Sequence, residues 1–234
     1  MPAPLTPPLK PTFHAAAPAI AAAQLDDGDI HLWRIPYRPE QRRAPLLALL
    51  GEYLGVALDE SSVFAAPGGK PRLAGSLATG AAHPQLDFNW SHSGGFALVA
   101  LARDLPLGVD IEHLAKRPRA LEIAERFFDP AEAETLAALD ESARKRAFIA
   151  LWCAKESVLK AEGTGLSFGL ARLAFRLDGQ GLWQLARTDP ALGGVDEWQV
   201  AGFEAAPDYR GALAWRGDNR RLHAFQPLPG LGSA

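Results

Sequence analysis

A chain of 234 residues, 48% of them apolar, is long enough to build one large domain or two small ones around a real core. Its formal charge of −3 argues against a general nucleic-acid binder. The single cysteine, Cys153, excludes an internal disulfide framework and a cysteine-based zinc site, and no apolar run is long enough to span a bilayer.

Residues 1–25 are rich in Pro and Ala. The Ala15–Ala23 stretch is weakly hydrophobic, is broken by Pro18 and follows only one basic side chain, Lys10, which is unlike a secretion signal. The expectation is a disordered or loosely attached tail on a cytoplasmic protein. Asp29 to Ile35 reads as a first strand, and Pro39 to Leu54 as a helix ended by Gly55. Arg42 and Arg43 fall in its first turns, where the helix dipole does not favour cations. They are either solvated or there to meet a bound anion. Residues 67–71, PGGKP, form a turn with Lys70 at its tip.

Leu86 to Ser91 reads as a strand, Gly94-Gly95 as a hairpin turn, and the apolar Phe96 to Ala102 as a central strand. Ser91-His92-Ser93, just before that turn, is either a polar hairpin end or a set of donors for a phosphate. In the next strand, Leu107 to Glu112, Asp110 and Glu112 share one face while Val109 and Ile111 point to the core. Two such carboxylates are either both in water or bridged by a divalent ion, for which Mg²⁺ is suited.

Ala120 to Phe128 reads as a helix, and Asp129-Pro130 as the N-cap and first residue of another. A long helix follows from Glu141 to Ala161 and ends at Gly163. Its Phe148, Ile149, Trp152, Glu156 and Leu159 fall within roughly a third of a turn. Glu156 therefore sits in an apolar stripe, flanked by Lys155 and Lys160. It is either one half of a surface Glu156–Lys160 pair or a buried carboxylate that needs a cation or donors. Cys153 reads as a packed thiol. Strand signals follow at Leu170–Leu177, Leu182–Ala186, Glu197–Phe203, Ala212–Trp215 and Leu222–Phe225. The expected fold is α+β: two halves, 26–107 and 108–228, each a small, mainly antiparallel sheet covered by helices, with a frayed end at 229–234.

Taken together, the motifs resemble the Sfp-type 4′-phosphopantetheinyl transferases. The resemblance is carried by Gly69-Lys70-Pro71, Phe88 to Ser93 (FNWSHS), Gly108 to Glu112 (GVDIE), and Trp152 to Ser157 (WCAKES) with Lys160 and Gly163 to Leu166. Leu121 to Phe128, LEIAERFF, also looks like the helix that follows the family's acidic motif, and similarity extends from about Ile30 to about Phe225. Trp90 and Arg72 depart from the residues usual at their places.

This resemblance implies two pseudo-symmetric halves with the active site between them. It implies transfer of the phosphopantetheine arm of coenzyme A to a serine of an apo acyl or peptidyl carrier protein, with release of adenosine 3′,5′-bisphosphate. Asp110, Glu112 and Glu156 would hold Mg²⁺, or Mn²⁺ in its place, and Glu156, Lys160 and Asp110 would be catalytic. Arg43, Lys70, Ser91, His92 and Lys155 would bind the coenzyme's phosphates. Trp152 matches the branch with broad or secondary-metabolite carriers. The carrier is expected around Phe127–Phe128 and the loop from Gly163 to Leu170, so that Phe128→Asp would raise its KM and spare coenzyme A. The chain would act as a monomer, with no nucleic-acid or membrane partner. A degenerate module that binds coenzyme A or a carrier without transfer, and a Mg²⁺ enzyme for another nucleotide, are the competing readings. The full acid and lysine set argues against the first, and the absence of a Walker or GxGxxG loop against the second.

Overall fold

The computed structural model describes residues 10–66, 69–74, 85–115 and 119–229. The first nine residues of the Pro/Ala-rich segment, the start of the 67–71 turn and residues 230–234 lie outside that set. Residues 10–25 are not a loose tail. They form β1 (His14–Ala16), which pairs in parallel with β12 (Arg221–Pro227), and α1 (Pro18–Ala22), which packs on α2 (Ala44–Leu54). Ala21 and Leu25 are buried with Leu46 and Leu50 of α2, and that apolar burial fixes the segment.

The remaining strands are β2 (Asp29–Pro36), β3 (Val63–Ala65), β4 (Pro71–Leu73), β5 (Leu86–Ser93), β6 (Phe96–Arg103), β7 (Leu107–His113), β8 (Ala174–Leu177), β9 (Trp183–Arg187), β10 (Trp198–Ala206) and β11 (Tyr209–Arg216). The helices between them are α3 (Ala120–Phe127), α4 (Pro130–Ala137) and α5 (Glu141–Glu162). The helix expected over 39–54 is in two pieces. A 3-10 turn over Pro39–Gln41 is followed by Arg42 at φ 49°, outside helical space, and α2 starts afresh at Ala44. Likewise, the strand expected from Leu170 begins only at Ala174, because Leu170–Arg172 is another 3-10 turn.

Two sheets carry the architecture. One has the order β1-β12-β2-β6-β5, the other β10-β11-β7. They face each other across a core of Ile30, Leu32, Leu98 and Ala100 from one side and Leu107, Val109, Ile111 and Leu213 from the other. α1 and α2 cover the outer face of the larger sheet, over Trp33, Phe88 and Val99. α5 lies on the outer face of the smaller one, with α3, α4, β8 and β9 packed around it. The fold is α+β, with helices outside two facing sheets. Its last strand, β12, is inserted between β1 and β2 of the larger sheet, so the expected division into 26–107 and 108–228 does not follow the sheets.

Candidate active site

β5 is the edge of the larger sheet and β7 the edge of the smaller, and polar side chains join them. Asn89 Oδ1 accepts the Val109 N–H (2.9 Å). Ser93 Oγ accepts the His113 N–H (3.1 Å) and donates to Glu112 Oε2 (2.7 Å). Ser91 Oγ donates to Asp110 Oδ1 (2.7 Å). Residues two apart on a strand share a face, so Asn89, Ser91 and Ser93 form one polar stripe that satisfies backbone groups β7 would otherwise leave unpaired. Sequence reasoning overlooked Asn89. The spacing of 89, 91 and 93 was the signal available.

α5 is capped at its start by Asp140, whose side chain accepts from Ala143 N, and ends at Gly163 in the left-handed conformation (φ 83°). It crosses β7 at Gly108 and so brings Lys160 over Asp110. Lys160 Nζ donates to Asp110 Oδ1 (2.6 Å), Ser91 Oγ (3.0 Å) and the Val109 carbonyl (3.3 Å). Asp110 is 4% exposed, so the pair works in a low-dielectric setting. Glu156, one turn back along α5, has its carboxyl pushed up to about 7, first by burial and then by the charge of Asp110. Lys160 opposes this rise and Glu112 adds to it. Asp110, Glu156, Lys160 and Ser91 thus come together, with Glu112 held beside them by Ser93.

The three acids are not drawn into a ready shell. Among the described residues, no three His, Cys, Asp or Glu side chains are gathered closely enough to hold a metal ion. One oxygen of Asp110 is taken by Lys160 and Ser91, which supply much of the charge balance. Asp110 Oδ2 and Glu156 Oε1, however, are buried without a hydrogen-bond partner. Partnerless carboxylate oxygens beside one another are a hard oxygen donor set, and in chemical kind they fit Mg²⁺.

Two expected phosphate ligands are used elsewhere. Lys155 is fully buried and pairs with the equally buried Glu132 of α4 (2.8 Å), on the far side of α5 from Asp110. Its Nζ also donates to the Leu170 and Leu173 carbonyls, while Glu132 accepts from Phe175 N and Asp129 N. Burial pushes Glu132 up and Lys155 down, each opposed by the other's charge. Lys155 precedes Glu156 by one residue, and successive helix positions differ by about 100°, so the two side chains serve different environments. Lys70, at 6% exposure, is not at a turn tip. It donates to the Ala161 (2.8 Å) and Leu107 (3.1 Å) carbonyls, placing a cation at the C-terminal end of α5. Burial lowers its pKa to about 8.

His92 is exposed on the opposite face of β5 and stacks on Tyr37 (centroids 4.4 Å apart, 26°), with Trp90 tilted against it at 5.2 Å. Arg43 precedes α2, and its guanidinium donates to the Val63 carbonyl (3.2 Å), tying that helix to β3. It is not among the groups gathered at Asp110. Cys153 is buried under the acidic strand with its sulfur 3.4 Å from the Arg210 carbonyl. Burial, then the Asp110 and Glu112 charges, raise its pKa well above that of a free thiol, which fits a packed thiol and not a nucleophile. Phe128, expected at the carrier surface, is 4% exposed and stacks on Phe148 (5.5 Å, 13°). Its neighbour Phe127 is the exposed one, at 47%.

The 4′-phosphopantetheinyl transferase superfamily matches residues 106–214, the part of the chain that holds β7, α5 and β11. The chain is 32% identical over 171 residues to the 4′-phosphopantetheinyl transferase HetI of Nostoc sp., covering 59% of this chain and 70% of that protein. It is 43% identical over 99 residues to the 4′-phosphopantetheinyl transferase Sfp of Bacillus subtilis, covering 42% and 43%. A human relative, L-aminoadipate-semialdehyde dehydrogenase-phosphopantetheinyl transferase, is 33% identical over 141 residues, covering 58% and 45%. The matched stretch thus ranges from under half to 70% of these relatives' own lengths. With the acidic strand and the α5 motif inside the matched stretch, and a 32% identical relative matched over 70% of its length, the chain belongs to the 4′-phosphopantetheinyl transferase superfamily.

Proposed function

We propose that this protein transfers the 4′-phosphopantetheine arm of coenzyme A to the hydroxyl of a serine on an apo acyl or peptidyl carrier protein. The serine oxygen forms a bond to the β-phosphorus of the coenzyme, and the bond from that phosphorus to its bridging oxygen breaks. Adenosine 3′,5′-bisphosphate leaves, and the serine proton passes to Glu156. The observation that carries the reading is the Asp110–Lys160–Ser91 junction, beside which Asp110 Oδ2 and Glu156 Oε1 lie buried without a hydrogen-bond partner and burial pushes the Glu156 carboxyl up. A carboxyl with a pKa near the working pH is a competent general base. Lys160 and Ser91 bring donors to the same spot, where they stabilise charge growing on the phosphate oxygens.

Asp110, Glu112 and Glu156 would hold Mg²⁺, whose charge, when bound, offsets that of the pyrophosphate and the leaving group. Ser91 and His92 border the coenzyme on the β5 side. The exposed Phe127, with the Arg126 guanidinium over its ring at 5.1 Å, and the exposed Leu166 suit the acidic, partly apolar helix of a carrier protein. A monomer acting in the cytoplasm completes the reading; among the described residues, no helix is long and apolar enough to cross a membrane.

The test is mass spectrometry of apo carrier proteins incubated with the protein, coenzyme A and Mg²⁺, beside Glu156→Gln and EDTA controls. The expected result is a mass gain of one phosphopantetheine arm that both controls abolish. No gain on a panel of acyl and peptidyl carriers overturns the reading.

A further inference from the structure

We propose that Tyr209 is a positioning residue that sets the Ser91–His92 end of β5 against the acidic strand β7, across the junction of the two sheets. The proposal rests on the reading of Ser91 and His92 as part of the coenzyme A site. Tyr209 opens β11, directly opposite His113 of β7, and its ring stacks on that imidazole (4.4 Å, 23°). It is 8% exposed and also meets Phe96 edge-on (5.1 Å, 80°). The ring thus belongs to the half that carries Asp110 and Glu112.

Its hydroxyl belongs functionally to the other half. The Gly95 N–H, in the β5–β6 turn, donates to Tyr209 Oη (3.0 Å). Gly94, with φ 55°, leaves room for this approach: a Cβ there would stand 2.6 Å from the Tyr209 oxygen. The turn therefore needs glycine at 94 both for its backbone conformation and for the tyrosine that fills the space. The next peptide unit, on the other side of the Gly95 Cα, points back into the larger sheet, where the Gly95 carbonyl accepts from Tyr37 N (2.9 Å). Tyr37 in turn is the ring on which His92 stacks.

A continuous path thus runs from Tyr209 through Gly95 and Tyr37 to His92, ending two residues before the turn it controls. Ser91 and Ser93, which hold Asp110 and Glu112, lie on the same short strand end. Rotating that end about the turn would shift His92 and the serines together. Tyr209 fixes the rotation from the opposite half, while itself touching neither Asp110 nor Lys160 in the hydrogen bonds described above. Its role is to orient the coenzyme side of the cleft, and not to take part in bond making.

Tyr209→Phe removes one oxygen and keeps the stacked ring. Three quantities are compared in wild type and variant: the coenzyme A Kd by calorimetry, kcat at saturating coenzyme A, and the amide exchange of Gly95 with the His92 ring resonances by NMR. The expected result is a Kd raised about fivefold, the worth of one ordinary hydrogen bond, with kcat within about twofold of wild type. Gly95 exchange should quicken and the His92 resonances should move. Gly94→Ala, which attacks the same contact from the other side, should weaken coenzyme A similarly, and the double variant should be no worse than either single one. An unchanged Kd in Tyr209→Phe, or a lowered melting temperature with Gly95 exchange and Kd both unchanged, overturns the proposal. Wild type that fails to bind coenzyme A would instead remove the substrate reading, and this proposal with it.

Discussion

Gly108 of β7 and Ser157 of α5 meet backbone to backbone. A Cβ on Gly108 would stand 2.0 Å from the Ser157 carbonyl oxygen and 2.4 Å from the Ala161 nitrogen. The strand that carries Asp110 and the helix that carries Lys160 are thereby held at the spacing their 2.6 Å contact requires. Gly108→Ala forces α5 away from β7 along its whole crossing. Overpacking against backbone costs about 3 kcal/mol, which lowers Tm by about 10 °C in a chain of this size. Transfer should fall further than coenzyme A affinity, because the displaced helix carries Glu156 and Lys160. Melting curves together with kcat and Kd check this, and a variant with wild-type melting and transfer would refute it.

Lys155 answers to a different demand. Lys155→Ala leaves Glu132 buried without its cation and strands the Leu170 and Leu173 carbonyls, so the expected loss is about 3–5 kcal/mol. Replacing both partners with apolar residues should not restore stability here, because Glu132 also serves two backbone N–H groups. Lys155→Met protein that remains folded should bind coenzyme A as wild type does. Weakened coenzyme binding at unchanged melting temperature would return Lys155 to the phosphate site.

Glu156 gives a pH signature whose sign is fixed by its raised pKa. The carboxyl titrates at about 7 in the fold, against 4.5 for an ordinary glutamate. The folded protein therefore holds a proton that the unfolded chain has released, and stability is lost as pH rises from about 4.5 through about 7. The loss is on the order of 3 kcal/mol. Glu156→Gln should flatten this part of the profile. Mg²⁺ favours the charged form and should recover part of the loss in wild type. Transfer runs the other way, rising as the base ionises, and because bound Mg²⁺ lowers the pKa of a ligating carboxylate, that rise should lie below the pH at which the metal-free protein loses stability. Melting curves from about pH 5 to about pH 8, with and without Mg²⁺, test the first pair, and a wild-type profile parallel to that of Glu156→Gln would count against the assignment.

Phe127 and Phe128 should separate cleanly. Phe128→Asp places a charge in the core beside Phe148 and Lys155 and should prevent stable folding. Phe127→Asp alters an exposed ring, so it should raise the carrier KM several-fold, leave coenzyme A Kd unchanged and melt like wild type. Steady-state kinetics with varied carrier would show this. Equal damage to both substrates would not fit.

Much of this arrangement is legible in the sequence, for identifiable reasons. Alternation in β7 places Val109 and Ile111 in the core, and the helical spacing from Phe148 to Leu159 marks a packed side of α5, where Phe148 and Trp152 lie against Phe128. Gly163 signals the end of α5 through the backbone conformation it alone adopts easily. What pattern does not encode is the destination of a long side chain. Lys155 and Lys160 both flank Glu156 on a helical wheel, but one points to a carboxylate 23 residues back in the chain and the other to a strand edge 50 residues back. Lys70 reads as a turn lysine because the helix end it caps lies 91 residues further on. The segment before Leu25 is similarly opaque, since low-complexity Pro/Ala sequence gives no periodicity, and its order comes from packing on α2 and from pairing with β12, a partner about 200 residues further on.

That partner has a consequence for the order in which the protein can be made. β12 is the neighbour of both β1 and β2, so the sheet begun by the first hundred residues has a gap in it until the last strand is available. A ribosome extending the chain from its N-terminus releases β2 with an unpaired edge and β1 with nothing to pair to. The part of the molecule synthesised first is therefore completed last, and the nascent chain passes through a stage in which all of α5 exists while the larger sheet still waits for β12.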